Sequence, residues 1–107
     1  MISRIWKGWT TAENAAAYEE ILRTSVLPGI KKTLTTGYHG VHVLKREHDG
    51  GVEFMTILWL DSEDVLAPLL GDDLMASHVP AEARAVLGRF EERVAHYEVV
   101  RGEGIGH

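Results

Sequence analysis

Residues 52–62 read VEFMTILWLDS, and their apolar side chains fall on both parities of the stretch. Phe54, Ile57, Leu58, Trp59 and Leu60 cannot share one side of a period-2 element, so this is a strand with two apolar faces. In a short chain, helices cover one face of a single sheet and something else must cover the other. A second copy of the protein is the simplest cover.

Residues 2–9 alternate in the same way, with Ile2, Arg4 and Trp6 on one face and Ser3, Ile5, Lys7 and Trp9 on the other, which predicts the first strand. Thr10-Thr11-Ala12-Glu13 matches a capping box and predicts a helix start. Its apolar stripe is Ala15, Tyr18, Ile21 with Leu22, and Val26, at spacings of three and four. Pro28-Gly29 is expected to stop or kink it, and residues 31–36 read as a polar connection. Alternation resumes after Gly37 and predicts a second strand to about Glu47, with Gly40 a candidate bulge. His48-Asp49-Gly50-Gly51 is a hairpin signal, because Asp-Gly and Gly-Gly accept the positive φ of primed turns. After the two-faced strand, Asp61 and Ser62 cap a second helix, Glu63 and Asp64 suit its N-terminal dipole, and Gly71 ends it. Pro80 opens a short helix over 81–90, and residues 94–101 form the last strand. The order strand, helix, strand, strand, helix, strand predicts an α+β, ferredoxin-like βαββαβ domain with an antiparallel sheet. It spans residues 1–101, and the glycine-rich residues 102–107 are expected to be a flexible tail.

Composition narrows the function. At 107 residues the chain is one domain of ordinary size, with 45% hydrophobic and 25% charged residues, which makes it globular. Its net charge is −5 and its basic residues are scattered, so no nucleic-acid footprint is present. Cysteine is absent, which excludes disulfides, thiol catalysis and zinc thiolates. No apolar run suits a leader or a membrane span. The chain reads as a soluble, cytoplasmic protein with no membrane partner.

Three stretches in order, LPGIKKTLTTGYHGVHVLKR, ILWLDSED and VAHYEVV, resemble the antibiotic biosynthesis monooxygenase (ABM) family of the dimeric α+β barrel superfamily. The resemblance implies a homodimer packed sheet against sheet and a pocket in each protomer between sheet and helices. It also implies an oxidoreductase: some members oxidise quinol-like aromatics with dioxygen and neither metal nor flavin, while others bind and cleave haem. For the first group, Trp59 matches a tryptophan at the end of strand three, and Met55 stands where a polar residue is expected. For the second, His78 falls at the haem-ligating position, Pro68 replaces a tryptophan of helix two, and Trp6 replaces an asparagine of strand one.

The reading taken forward is a cofactor-independent monooxygenase acting on a phenolic or quinol-like aromatic, with no cofactor and no metal. The alternatives are a barrel that binds haem or another small ligand without turnover, or a non-catalytic dimeric barrel. Cofactor-free oxygenation needs a base, a donor to the substrate anion and a dry apolar wall. Histidine is the natural base. Among the candidates His39, His42, His78 and His96, the catalytic candidates are His78, in an irregular segment where a pocket rim is expected, and His96 of the last strand. Trp59, Trp6 and Arg4 are the substrate-binding candidates. Large aromatics usually serve burial, so the two tryptophans read as core before site, and pairing with Glu98 or Glu53 from a neighbouring strand is the plainer role for Arg4. His39 and His42 point to opposite strand faces and cannot share a metal ion. Phosphate-loop, dinucleotide and nucleophile-elbow motifs are absent.

Overall fold

The computed structural model describes residues 1–104. Strand β1 (Ile2–Thr11) leads into helix α1 (Ala12–Ile21), a π-helical turn (Leu22–Val26) and helix α2 (Leu27–Thr33). Strands β2 (Tyr38–His48) and β3 (Gly51–Leu60) follow, then a 3₁₀ turn (Glu63–Leu66) and helix α3 (Ala67–Leu70). Helix α4 (Ala81–Arg84) and strands β4 (Arg89–Phe90) and β5 (Ala95–Glu98) close the chain. The sheet order is β2-β3-β1-β4, with β5 also on β1 and every pairing antiparallel. Strands β4 and β5 thus share one edge of β1 as an interrupted last strand. The fold is α+β and ferredoxin-like, as expected.

Several local signals act as their chemistry predicts. In the β2–β3 turn, Asp49 and Gly50 have φ of 50° and 78°, the two positive values of a primed hairpin turn. Gly40 sits at a register shift between β2 and β3. Gly71 ends α3 with φ 66°. The helix cap is Thr11 rather than Thr10: the Thr11 hydroxyl accepts from the Asn14 amide at 3.2 Å, while Thr10 donates to the Val86 carbonyl.

Three boundaries differ from the sequence expectation. The first helix does not stop at Pro28-Gly29 but continues to Thr33, so residues 31–33 are helical rather than connection. Pro28 removes one amide and crowds the carbonyl four residues back. The turn just before it is widened, with the Leu27 amide donating to the Leu22 carbonyl five residues earlier, and this lets the helix pass. The short helix after Pro80 ends at Arg84, and Arg89–Phe90 joins β1 instead. The last strand is confined to Ala95–Glu98. A flexible tail was expected over 102–107, of which 105–107 lie outside the described residues.

Helices cover one sheet face. Beneath them lie Trp6 of β1, Phe54, Leu58 and Leu60 of β3, and Tyr18, Leu22, Val26, Ile30 and Leu66 from the helical layer, all buried. Tyr18 meets Phe54 edge-on at 4.8 Å. Phe54, Leu60 and Leu66 are fully enclosed, each contributing roughly 1.5–3 kcal/mol by burial. The other face carries Ile5, Lys7, Trp9, Met55, Ile57 and Trp59, and no element of the described chain lies over it. Leu44 and Tyr97 on that face remain 48% and 58% exposed.

Candidate functional site

Alternation along β1 and β3 aims Arg4, Trp6, Thr56 and Leu58 at the helices, and the register places Trp6 opposite Thr56 and Arg4 opposite Leu58. The helical layer returns Tyr18, Leu22, Val26 and Ile30 toward them, at the three- and four-residue spacing of its buried stripe. Between the two layers is a narrow cleft of about 50 Å³, open to solvent on one side. His78, Val79 and Pro80 stand at its rim.

The wall is apolar except for a few groups. Arg4 is only 5% exposed, and burial pulls its guanidinium down to about 10, still charged at neutral pH. Its partners are not Glu98 or Glu53. Nη1 donates to the Leu74 carbonyl at 2.7 Å and to His96 Nε2 at 3.0 Å, and Nη2 donates to the Ala76 carbonyl at 2.5 Å. Glu53 is held instead by Arg46 and by the Trp9 indole. These donors, with the Arg46 hydrogen bond the largest influence, keep its carboxyl below the usual range.

Because a guanidinium only donates, His96 Nε2 must accept from Arg4, and the ring's hydrogen sits on Nδ1. Nδ1 donates to Glu63 Oε2 at 2.8 Å. Glu63, His96 and Arg4 therefore form a chain that runs from the solvent edge to the cleft wall. The His96 side chain is 6% exposed, and both of its nitrogens are engaged.

His78 belongs to segment 72–79, which is tethered rather than loose. Ala76 bridges to Arg93, the Ser77 amide donates to the Glu92 carbonyl at 2.9 Å, and the Val94 amide donates to the Met75 carbonyl at 2.9 Å. Arg93 grips both oxygens of Asp73 at 2.9 Å. The same segment supplies the two carbonyls that hold Arg4. Burial first, and the positive charge of Arg4 second, hold the His78 imidazole below its ordinary value. A neutral imidazole at neutral pH is a competent proton acceptor.

Of the residues singled out in the sequence, Arg4, Trp6 and His78 meet at this cleft, and His96 stands directly behind Arg4. Trp59 does not join them. It lies on the opposite sheet face, where its indole donates to His42 Nδ1 at 2.9 Å. Trp6 is a wall residue, with its indole N–H donated to the Glu91 carbonyl at 3.0 Å. Three further residues were not foreseen. Thr56 lines the cleft with a buried hydroxyl that has no hydrogen-bond partner. It sits on the parity of Phe54 and Leu58, so a polar residue on the helix-facing side of β3 was the available signal. Tyr18 also lines the cleft, and burial raises its phenol so that it stays protonated. Glu63 reads in sequence as a helix-start charge, and nothing there links it to His96. No group of three or more metal-ligating side chains occurs among the described residues, and none of their helices is long and apolar enough to cross a membrane.

No family model matches the chain, and no curated protein matches it. Solved structures do. A candidate antibiotic biosynthesis monooxygenase from Chloroflexus aurantiacus J-10-fl superposes with a TM-score of 0.58 at 23% identity, covering 98% of each chain. One from Bacillus cereus gives 0.59 at 17% identity, covering 97% of this chain and 98% of that one. Both bear the name of the family that the sequence resembles, and at this identity they establish the shared fold over nearly the whole chain.

Proposed function

We propose that the protein is a cofactor-independent monooxygenase that oxidises a small phenolic or quinol-like aromatic in the cleft between sheet and helices. The observation that carries the reading is the convergence of His78, with its lowered proton affinity, and the buried Arg4 guanidinium on one apolar cleft. The names of the two structural neighbours agree with it. His78 takes the acidic proton of the substrate, and Arg4 stabilises the oxyanion that results. Trp6, Leu58 and the helical stripe exclude water, and the electron-rich anion reduces dioxygen directly. For an anthrone, the methylene becomes a carbonyl, one oxygen atom is incorporated and the other leaves as water, with all four electrons drawn from the substrate. His96 and Glu63 act from behind Arg4 by holding it in place. The protein works as a homodimer closed over the bare sheet face.

Haem fits these residues poorly. His78 stands at the mouth, but an interior of about 50 Å³ is far below the several hundred Å³ of drug-sized ligand sites. The closed cleft is also tight for an aromatic ring, so substrate entry requires the rim at 78–80 or the helical wall to give. Oxygen consumption with anthrone in chelator-treated buffer tests the proposal. Uptake should be catalytic, and His78→Ala should lower it at least tenfold. No uptake above the uncatalysed rate, or uptake indifferent to His78, would sink the assignment.

A further inference from the structure

We infer that the cleft favours ligands that carry an anionic oxygen, whether they arrive charged or lose a proton there, and that Arg4 and Thr56 together form the seat for that oxygen in an aryl carboxylate or an acidic phenol. This rests on the cleft of the proposed function but not on its oxygen chemistry.

Charge balance is the first support. Arg4 is a deeply buried cation, and the groups it touches are two carbonyls and an imidazole nitrogen. Among the described residues no carboxylate contacts it. Glu63 is separated from it by the His96 ring. Uncompensated buried charge is costly, and the usual remedy is a paired anion. Donor counting is the second. A guanidinium carries five N–H groups, and three of Arg4's are used. The Nε–H and one hydrogen on Nη2 make no hydrogen bond among the described residues, and Arg4 is part of the cleft wall.

Thr56 is the third and independent support. Its Oγ1 is buried without a partner, on the strand next to Arg4 and in the wall of the same cleft. Leaving a buried hydroxyl unmade has a real cost, and valine would fill the same space on a strand without it. A hydroxyl there has a use if it donates to a bound acceptor. The remaining wall is apolar, which suits an aryl group behind the charged oxygen rather than an inorganic anion. Lysine is absent from the lining, so the seat is a single directional fork and not a diffuse cationic patch.

Benzoate against benzamide, and 4-nitrophenolate against 4-nitroanisole, are the probe pairs. Each compares an anion with a neutral molecule of nearly the same shape, and quenching of tryptophan fluorescence reports entry beside Trp6. The wild-type protein should bind at least one anion tenfold or more tightly than its neutral partner, and the pair that discriminates says which oxygen the seat takes. Thr56→Val should weaken that anion at least threefold without lowering the unfolding midpoint, and Arg4→Gln should bring the ratio toward one. Should Arg4→Gln not fold, Thr56→Val alone still decides. Equal binding of anion and neutral molecule, binding of neither pair, or an unchanged affinity in Thr56→Val overturns the inference. None of these probes is an anthrone, so their binding is independent of oxygen uptake: anion selectivity without oxygenation retains the seat and removes the reaction, and the reverse result does the opposite.

Discussion

His78 concentrates what a single residue contributes here. It is exposed at the rim, yet its imidazole is held below the ordinary histidine value by burial and by Arg4. In the unfolded chain the ring takes a proton near the ordinary value, about 6.5, while in the folded protein it resists until the pH is lower. The unfolded state therefore binds more protons across that interval, and stability rises with pH through it. His78 is without cost above its unfolded value and destabilises the fold as pH falls from there toward the folded value. Replacing it with Gln should flatten that acid-side decline and leave neutral-pH stability within about 1 kcal/mol, because rim substitutions cost little. Urea unfolding of both proteins across pH 5 to 8 is the check. Parallel profiles would show that neither burial nor Arg4 shifts His78.

At the scale of elements, the helical wall of the cleft owes its shape to one proline. Leu22 and Val26 bound the π-helical turn and both line the cleft, and that turn is wide because Pro28 has no amide for the carbonyl four residues back and its ring crowds that carbonyl. Pro28→Ala supplies the missing amide and removes the clash, so the turn is expected to tighten toward α-helix. Stability should hold or rise by roughly 1 kcal/mol. Ligand affinity should fall severalfold, because tightening rotates Leu22 and Val26 away from their present aim. A crystal structure of the variant, with its unfolding midpoint, tests this; an unchanged π turn would mean that packing and not proline sets the wall. Segment 72–79 is the opposite wall. It is irregular in outline but fixed by the Asp73–Arg93 pair and its bridge to residue 93, which is what lets backbone carbonyls hold Arg4.

For the whole molecule the telling feature is the bare face of the sheet. Ile5, Met55, Ile57 and Trp59 alternate onto it, and Leu44 and Tyr97 stand clear of it. Exposed apolar patches of this kind are typical of interfaces, and the same patch on a second copy would give a closed two-fold pair. Light scattering at micromolar concentration should report about 24 kDa, twice the 11.9 kDa of one chain. Leu44→Asp, which places charge on the exposed part of that face and disturbs no buried residue, should shift the mass to that of a single chain. A wild-type protein that is cleanly monomeric rules the pairing out.

The sequence by itself determined the architecture, since the signals involved act within a few residues. Alternation in β1 and β3, the helical stripe from Ala15 to Val26, the Asp49-Gly50 turn and the Gly71 stop are local preferences of φ, ψ and side-chain direction. Helix ends were less legible: at Pro28 a packed wall outweighed a local breaker, and at Arg89 pairing with β1 outweighed helical spacing. The cleft was legible only in part. Arg4, Trp6 and His78 attract notice as residue types, but whether Trp59 joins them depends on which face of β3 meets the helices, and two apolar faces leave that open. The environment of Arg4 was decided by tertiary structure alone. The carbonyls that hold it come from Leu74 and Ala76, 70 and 72 residues away, and the link from His96 to Glu63 spans 33 residues. A period or a motif carries no information at such separations, because these contacts exist only once the whole chain has packed.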